Sequence, residues 1–440
     1  MNAHRTTVVL ALVLVAGCSV LKTKPKTPEI SEEGRISILA FEQTLVPDTK
    51  LAGRTPSVPA AVDAKDWSQP GGPTSNAPGN IQVGDDLKVA WRESAGDGSS
   101  GKSYLSAPPV IADGKIFIID AGQTLRALDA GSGRKLWSKA LRTPKSEDKN
   151  ALGGGVAVSD GRVYATTGFG AVVALKPEDG EVLWRAEAGV PFHAAPTVAG
   201  GRVYAVTTDS ELQALDGASG KVQWTYQAIA EPARILAASS PAVVGDTVVA
   251  PFASGELMAF LTANGHRLWS DQLNRPAKFT SLSAINDIAG RPVISDGVIY
   301  AASHSGVLAA VDERSGQRIW SRLLASTQTP CVVGDTIYVV TVEGDLAAID
   351  KATGGAFWVK QLPRYENEKK KKHRIVWTGP IMVGGSLFLA SSEGEAVLVS
   401  PADGVVKRTI KVGDSVFVPP IAANGTVYLV NNKGQLVALR

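Results

Sequence analysis

Residues 329–358 read TPCVVGDTIYVVTVEGDLAAIDKATGGAFW. Pro330 opens a short apolar strand, Gly334-Asp335 turns the chain, and a β-branched second strand follows, Thr336 to Thr341. Glu343-Gly344 turns it again, before a third strand from Asp345 to Asp350. Lys351-Ala352-Thr353-Gly354 makes the last turn, and a strand carrying Trp358 ends the unit.

The same order returns at 108–137, 196–224, 241–269 and 291–320, and more loosely at 154–184. A degraded copy spans 380–408 and a truncated one spans 420–440. About eight copies, spaced by roughly 40–50 residues, fall in the range of propeller blades and solenoid coils. Four short strands per copy select the propeller. The expected fold is all-β: an eight-bladed β-propeller of four-stranded antiparallel blades.

The recurring residue types have physical reasons. Asp129, Asp216, Asp312 and Asp350 precede the last turn, where a carboxylate accepts backbone N–H groups just ahead of it. Gly133, Gly180, Gly220, Gly265, Gly316, Gly354 and Gly404 supply positive φ there. Radial blades diverge outward, and a large ring fills the wedge between them. Trp91, Trp137, Trp184, Trp224, Trp269, Trp320 and Trp358 are assigned to that structural task. Arg408 takes the place in the seventh copy, which predicts a weaker seam.

The repeat makes most of the 440 residues one toroidal domain, 67–440. A net charge of +3 gives no electrostatic case for a nucleic-acid partner. Residues 1–17 have the form of a signal peptide, with Arg5 ahead of an apolar run too short to span a bilayer. The run ends Val15-Ala16-Gly17-Cys18, which resembles a bacterial lipobox with Cys18 as the acylated residue. Ser19, in place of an Asp, implies the outer membrane. Residues 18–66 read as a lipidated flexible tether, rich in Lys and Pro near its start. Cys331 then has no partner and reads as a small buried hydrophobe.

Leu87-Lys88-Val89-Ala90-Trp91 is a lone Trp strand, and the last copy ends at Arg440 before its own. Pairing the two closes the ring and removes two exposed sheet edges. Three connections between blades are long, 138–153, 271–290 and 359–378, and topology gathers them on one face, where binding residues concentrate. The third carries Lys369-Lys370-Lys371-Lys372-His373-Arg374, a solvated charge run or a contact for anionic lipid or an acidic partner.

Chemistry is sparse. The five His residues are dispersed and no HExxH, CxxC or spaced carboxylate cluster occurs. His193 precedes an inner strand and is placed to face the axial channel. No catalytic residue, metal site or cofactor is predicted.

The units Gly-x-Val-Tyr, Gly-x-Leu-x-Ala-Leu-Asp and Thr/Ser-Gly-x-x-x-Trp resemble repeats of the pyrroloquinoline-quinone enzyme type. With the lipobox, the tether and about eight blades, the chain resembles the BamB family, lipoproteins of the outer-membrane β-barrel assembly (BAM) complex. The likeness runs from about Trp67 to Arg440. It implies a non-catalytic scaffold facing the periplasm, which binds the POTRA domains of BamA and assists insertion of barrel proteins. It also implies a site in two neighbouring loops. The family's Leu-x-Leu-Arg aligns with Ala233-Arg234-Ile235-Leu236, so Ile235 matches while Ala233 and Leu236 depart. The family's Asp-x-Asp aligns with Asp287-Ile288-Ala289, so Asp287 matches and Ala289 does not. Unfolded outer-membrane proteins are a further partner to consider. The alternatives are a quinoprotein dehydrogenase, whose adjacent cysteines this chain lacks, and a scaffold of another envelope complex.

Overall fold

A computed structural model describes residues 45–101, 103–142, 152–231, 239–274 and 285–440. The signal peptide, Cys18 and the first part of the tether lie outside the described residues, as do Arg234, Ile235 and Leu236.

Each repeat forms a four-stranded antiparallel sheet whose strands follow chain order. In the sixth blade they are Cys331–Val333, Thr336–Val340, Asp345–Asp350 and Ala356–Gln361. First strands of neighbouring blades touch one another, which places them innermost. The second strand of this blade is buried along its whole length, because a blade is covered on both faces by its neighbours. That is why it reads as a continuous apolar run and not as an alternation. The outer strands are mostly exposed, as in Arg318–Leu323.

The ring closes as the sequence predicts. Val89–Ser94 pairs antiparallel with Gln435–Leu439, Trp91 standing opposite Ala438, and becomes the outer strand of the eighth blade. Lys88 N–H donates to the Arg440 carbonyl at 2.6 Å, and Arg440 N–H returns a bond to Lys88 at 2.9 Å.

The Trp residues form the seams. Trp91, Trp137, Trp184, Trp224, Trp320 and Trp358 each pack about 6 Å from an aromatic residue of their own blade's second strand, as Trp358 does on Tyr338 at 6.1 Å. Apart from Trp91, whose indole nitrogen has no partner among the described residues, the indole N–H groups cross to the next blade. Trp137, Trp184, Trp269 and Trp358 donate to the carbonyls of Pro177, Gly217, Glu313 and Pro401 at 3.0, 3.0, 2.8 and 2.9 Å. The ring then lies on that turn's glycine. A Cβ on Gly220 or Gly316 would stand 2.5 Å from a Trp carbon, so glycine is required for space as well as for its φ of +72° or +71°. The carboxylates of Asp129, Asp216 and Asp312 each accept the Ser N–H at 2.8 Å and its hydroxyl at 2.7 Å. These serine bonds hold the three groups below the usual carboxylate range.

Arg408 now has a reason. In the eighth blade the last turn is replaced by the junction of Arg440 with the closing strand. There is no turn glycine for a Trp to cover, and Arg408 instead stands 4.0 Å from Asp86, beside the junction.

The tether predicted through residue 66 is corrected by the described part of it. Residues 45–66 lie on the ring. Leu51 is buried, Asp48 N–H donates to the Ala356 carbonyl at 2.8 Å, and Ser57 N–H donates to Asp335 at 3.0 Å. From Ser57 to Val83 the chain is a strap across one end of the ring axis. It bonds the inner strand, or the turn that ends it, in every blade. Trp67 exchanges two 2.8 Å bonds with Ile111 in the first. Ser68, Thr74 and Ser75 accept from Val158, Val243 and Ile294, in the second, fourth and fifth. The Gln69 amide serves the second and third, with Nε2 donating to Val158 and Oε1 accepting from Val198. Ser57 reaches the sixth, Asn80–Ile81 pairs parallel with Met382–Val383 in the seventh, and Ala64 accepts from Asn424 in the eighth. Innermost strands have a free edge toward the axis, and the strap satisfies it.

Candidate functional site

The up-and-down course of each blade puts the inner-strand turns, and hence the strap, on one face. Connections between blades fall on the other. There they surround an axial funnel of about 490 Å³, walled by Leu105, Leu152, His193, Arg291, Gln328 and Phe417 among others. Leu152, Ala289 and Val376 each belong to one of the three long connections, so the predicted gathering of loops is observed among the described residues. Tyr104, Val376 and Phe417 are each more than 40% exposed and form an apolar rim. The strap supplies the floor. Trp67, Pro70, Asn76 and Pro78 line a smaller cavity of about 40 Å³, whose wall also includes Arg291.

Arg291 stands between the two cavities. It is 5% exposed, and among the described residues its Nε is buried without a hydrogen-bond acceptor and no carboxylate lines either cavity. Burial alone draws the guanidinium down to about 10. Its main-chain N–H is satisfied by Thr329 Oγ1 at 3.1 Å. Gln328, also on the funnel wall, accepts at its side-chain Oε1 from Thr378 Oγ1 at 3.1 Å and Gly379 N–H at 3.2 Å, which fixes its amide.

His193 faces the axial channel, as the sequence predicts, and also borders a side cavity of about 40 Å³ that it shares with Asp287. Its carbonyl accepts from Gly154 N–H at 3.2 Å. Asp287 is 8% exposed, and its carbonyl accepts from His304 N–H at 3.0 Å. Asp287, which the family resemblance assigns to partner binding, therefore offers little surface to a partner in this structure. Ser239, which follows the segment holding Arg234, Ile235 and Leu236, donates its Oγ to the Gly290 carbonyl at 3.0 Å, in the connection that carries Asp287.

The basic run forms a hairpin. Tyr365–Asn367 pairs with Lys372–Arg374, and Lys369 to Lys371 make its exposed tip. Glu368 is spent within it, accepting Arg364 and Tyr365 N–H at 2.9 and 3.1 Å.

Cys331 is buried in its strand, with its thiol pushed up to about 12. Ser303 and Ser305 bond one another at 3.1 Å within a turn, and Ser303 accepts Val307 N–H at 3.1 Å, which is a turn-capping arrangement. No group of three His, Cys, Asp or Glu side chains is arranged to hold a metal ion among the described residues.

Repeat, seam and closing strand define the class: an eight-bladed propeller of PQQ-like repeats. The family model described as outer membrane protein assembly factor BamB matches residues 83–152, 122–361 and 342–440, and the chain belongs to that family. The chain is 32% identical to the outer membrane protein assembly factor BamB of Escherichia coli K12 over 355 residues, 80% of this chain and 88% of the relative. The Shigella dysenteriae protein of that name matches at the same identity and coverage. Among solved structures, BamB from Moraxella catarrhalis superposes with a TM-score of 0.64 at 20% identity, over 80% of this chain and 97% of that one. A europium-containing methanol dehydrogenase superposes with a TM-score of 0.68 at 13% identity, over 83% and 89%, which shows a shared fold.

Arg291 is absent from the sequence-based site. A signal for it exists. The residue before the inner-strand proline is Pro108, Ala195, Ser240, Thr329, Gly379 or Pro419 in the other blades that have the proline, and only the fifth places a charge there.

Proposed function

We propose that the chain is a non-catalytic scaffold of outer-membrane β-barrel assembly, anchored through lipid on Cys18 and facing the periplasm. The observation that carries this reading is the family match across nearly the whole ring. In it, the funnel face docks the POTRA domains of BamA through the loop holding Arg234, Ile235 and Leu236 and the loop holding Asp287. An apolar pair beside an arginine on a connecting loop suits an interface anchor. Asp287, being mostly buried, would set the shape of the second loop more than it would touch the partner. The closed face supports the assignment from the other side: its polar edges are already satisfied by the strap, which leaves the loops as the available surface.

The test is binding of residues 19–440, prepared without lipid, to the periplasmic region of BamA from the same organism. An Arg234→Ala, Ile235→Ala, Leu236→Ala variant is expected to lose at least tenfold in affinity, about 1.4 kcal/mol, with an unchanged melting temperature. Retained affinity would move the site to another loop. A parent that does not bind would defeat the reading.

A further inference from the structure

Beyond scaffolding, the funnel has the features of a ligand site. A volume of about 490 Å³ lies within the range of small-molecule pockets, about 300–1,000 Å³. Its wall is largely apolar, with Leu105, Leu152, Val376, Phe417 and Pro419 contributing. Its polar side chains include His193, Gln328, Thr329 and Asn432, and among the described residues Arg291 is the only fixed charge on the wall.

A buried cation with no counter-ion is costly and is ordinarily paired. Arg291 has no acceptor for its Nε, and the depression of its pKa has desolvation as its sole cause. The group thus carries a standing demand for an anion, at the bottom of a cavity open to solvent. The planar guanidinium fork matches a carboxylate in two parallel bonds. A single positive charge among apolar walls favours a monoanion over a doubly charged phosphate. We infer that the axial funnel binds a small organic monocarboxylate with an apolar or aromatic body, its carboxylate on Arg291 and its body against Leu105, Val376 and Phe417. This does not rest on the BamA reading. The funnel would hold its ligand whether or not the rim docks a partner.

The probes are phenylacetate, its neutral isostere phenylacetamide, and inorganic phosphate, titrated into residues 19–440 and followed by calorimetry and ligand-observed NMR. Phenylacetate is expected to bind about tenfold or more tightly than phenylacetamide, because only the acid supplies the missing partner. Phosphate is expected to bind more weakly than phenylacetate. Arg291→Met, which keeps the length and removes the charge, should lose the preference for the acid. Without ligand it should melt above the parent, since an unpaired buried charge is gone. Equal binding of acid and amide would overturn the inference. So would absence of phenylacetate binding, tighter binding of phosphate, or a lower melting temperature for Arg291→Met. The last result would mean that the guanidinium is already paired within the chain.

Discussion

On one face of the ring, residues 57–83 reach all eight blades and satisfy the inner edges one after another. On the other, the connections stand apart around a funnel of about 490 Å³ with a buried Arg291 near its base, whose Nε has no partner among the described residues. The same antiparallel unit produces both faces, so the unit is not the cause. The difference lies in what is added. A non-repeating segment closes one end, and non-repeating loops elaborate the other. Stability is therefore expected to concentrate at the strapped end and recognition at the looped end.

The largest effect should come from removing the strap. Truncation to residue 84 keeps the closing strand but deletes Trp67 and Ile81, both core residues. Loss of a buried side chain of that size costs about 3 kcal/mol by itself, and several inner strands lose bonds as well. Thermal unfolding should show a large fall for this variant. Replacing 232–238 with a Gly-Ser segment of equal length should leave the melting temperature nearly unchanged. Equal melting temperatures for the two variants would erase the division between the faces.

A smaller effect separates two glycines of nearly equal conformation at the strapped end. Gly297 has φ +73° and nothing within 4 Å of an added Cβ, whereas Gly316 has φ +71° and Trp269 at 2.5 Å. Gly297→Ala should cost about 1–2 kcal/mol from the left-handed backbone alone. Gly316→Ala should cost about 1–3 kcal/mol more, through overlap with the seam. Chemical denaturation of both variants measures the difference, and equal costs would show that the Trp residues are not seated on the turns.

The smallest effect is acid sensitivity. Asp129, Asp216 and Asp312 are held below the usual carboxylate range by their serine partners. Their contribution is present above the unfolded pKa and is lost as pH falls through the lowered folded value. Denaturation midpoints should therefore drop between neutral pH and about pH 3. Asp312→Asn should lower the midpoint near neutral pH and reduce the drop. An unchanged pH dependence would mean that the turn carboxylates contribute nothing.

The blades, the Trp seams and the closing strand are legible in the sequence because each depends on local patterning repeated about eight times. The strap is not. Ser68-Gln69-Pro70-Gly71-Gly72-Pro73-Thr74-Ser75 has the composition of a linker. Its bonds go to a different blade every few residues, so no periodicity records them. Gly71 shows how tightly it is nonetheless shaped, since an added Cβ would fall 2.1 Å from Asn76 Oδ1. Arg408 is visible as a departure, but its cause, the missing turn at the closure, appears only when the ends are brought together. Asp287 matches a family motif by type and position, yet burial is a property of the packed loops and is invisible in a string of letters. Arg291 is readable only by comparing one position across the blades.

Hydrogen exchange of the ring, alone and with the periplasmic region of BamA, tests the division of labour most directly. The account predicts new protection in the inter-blade connections, above all around 228–240 and 285–291, with the strap and the inner-strand turns unchanged. Protection confined to the strap face, with the connections unaltered, would contradict it.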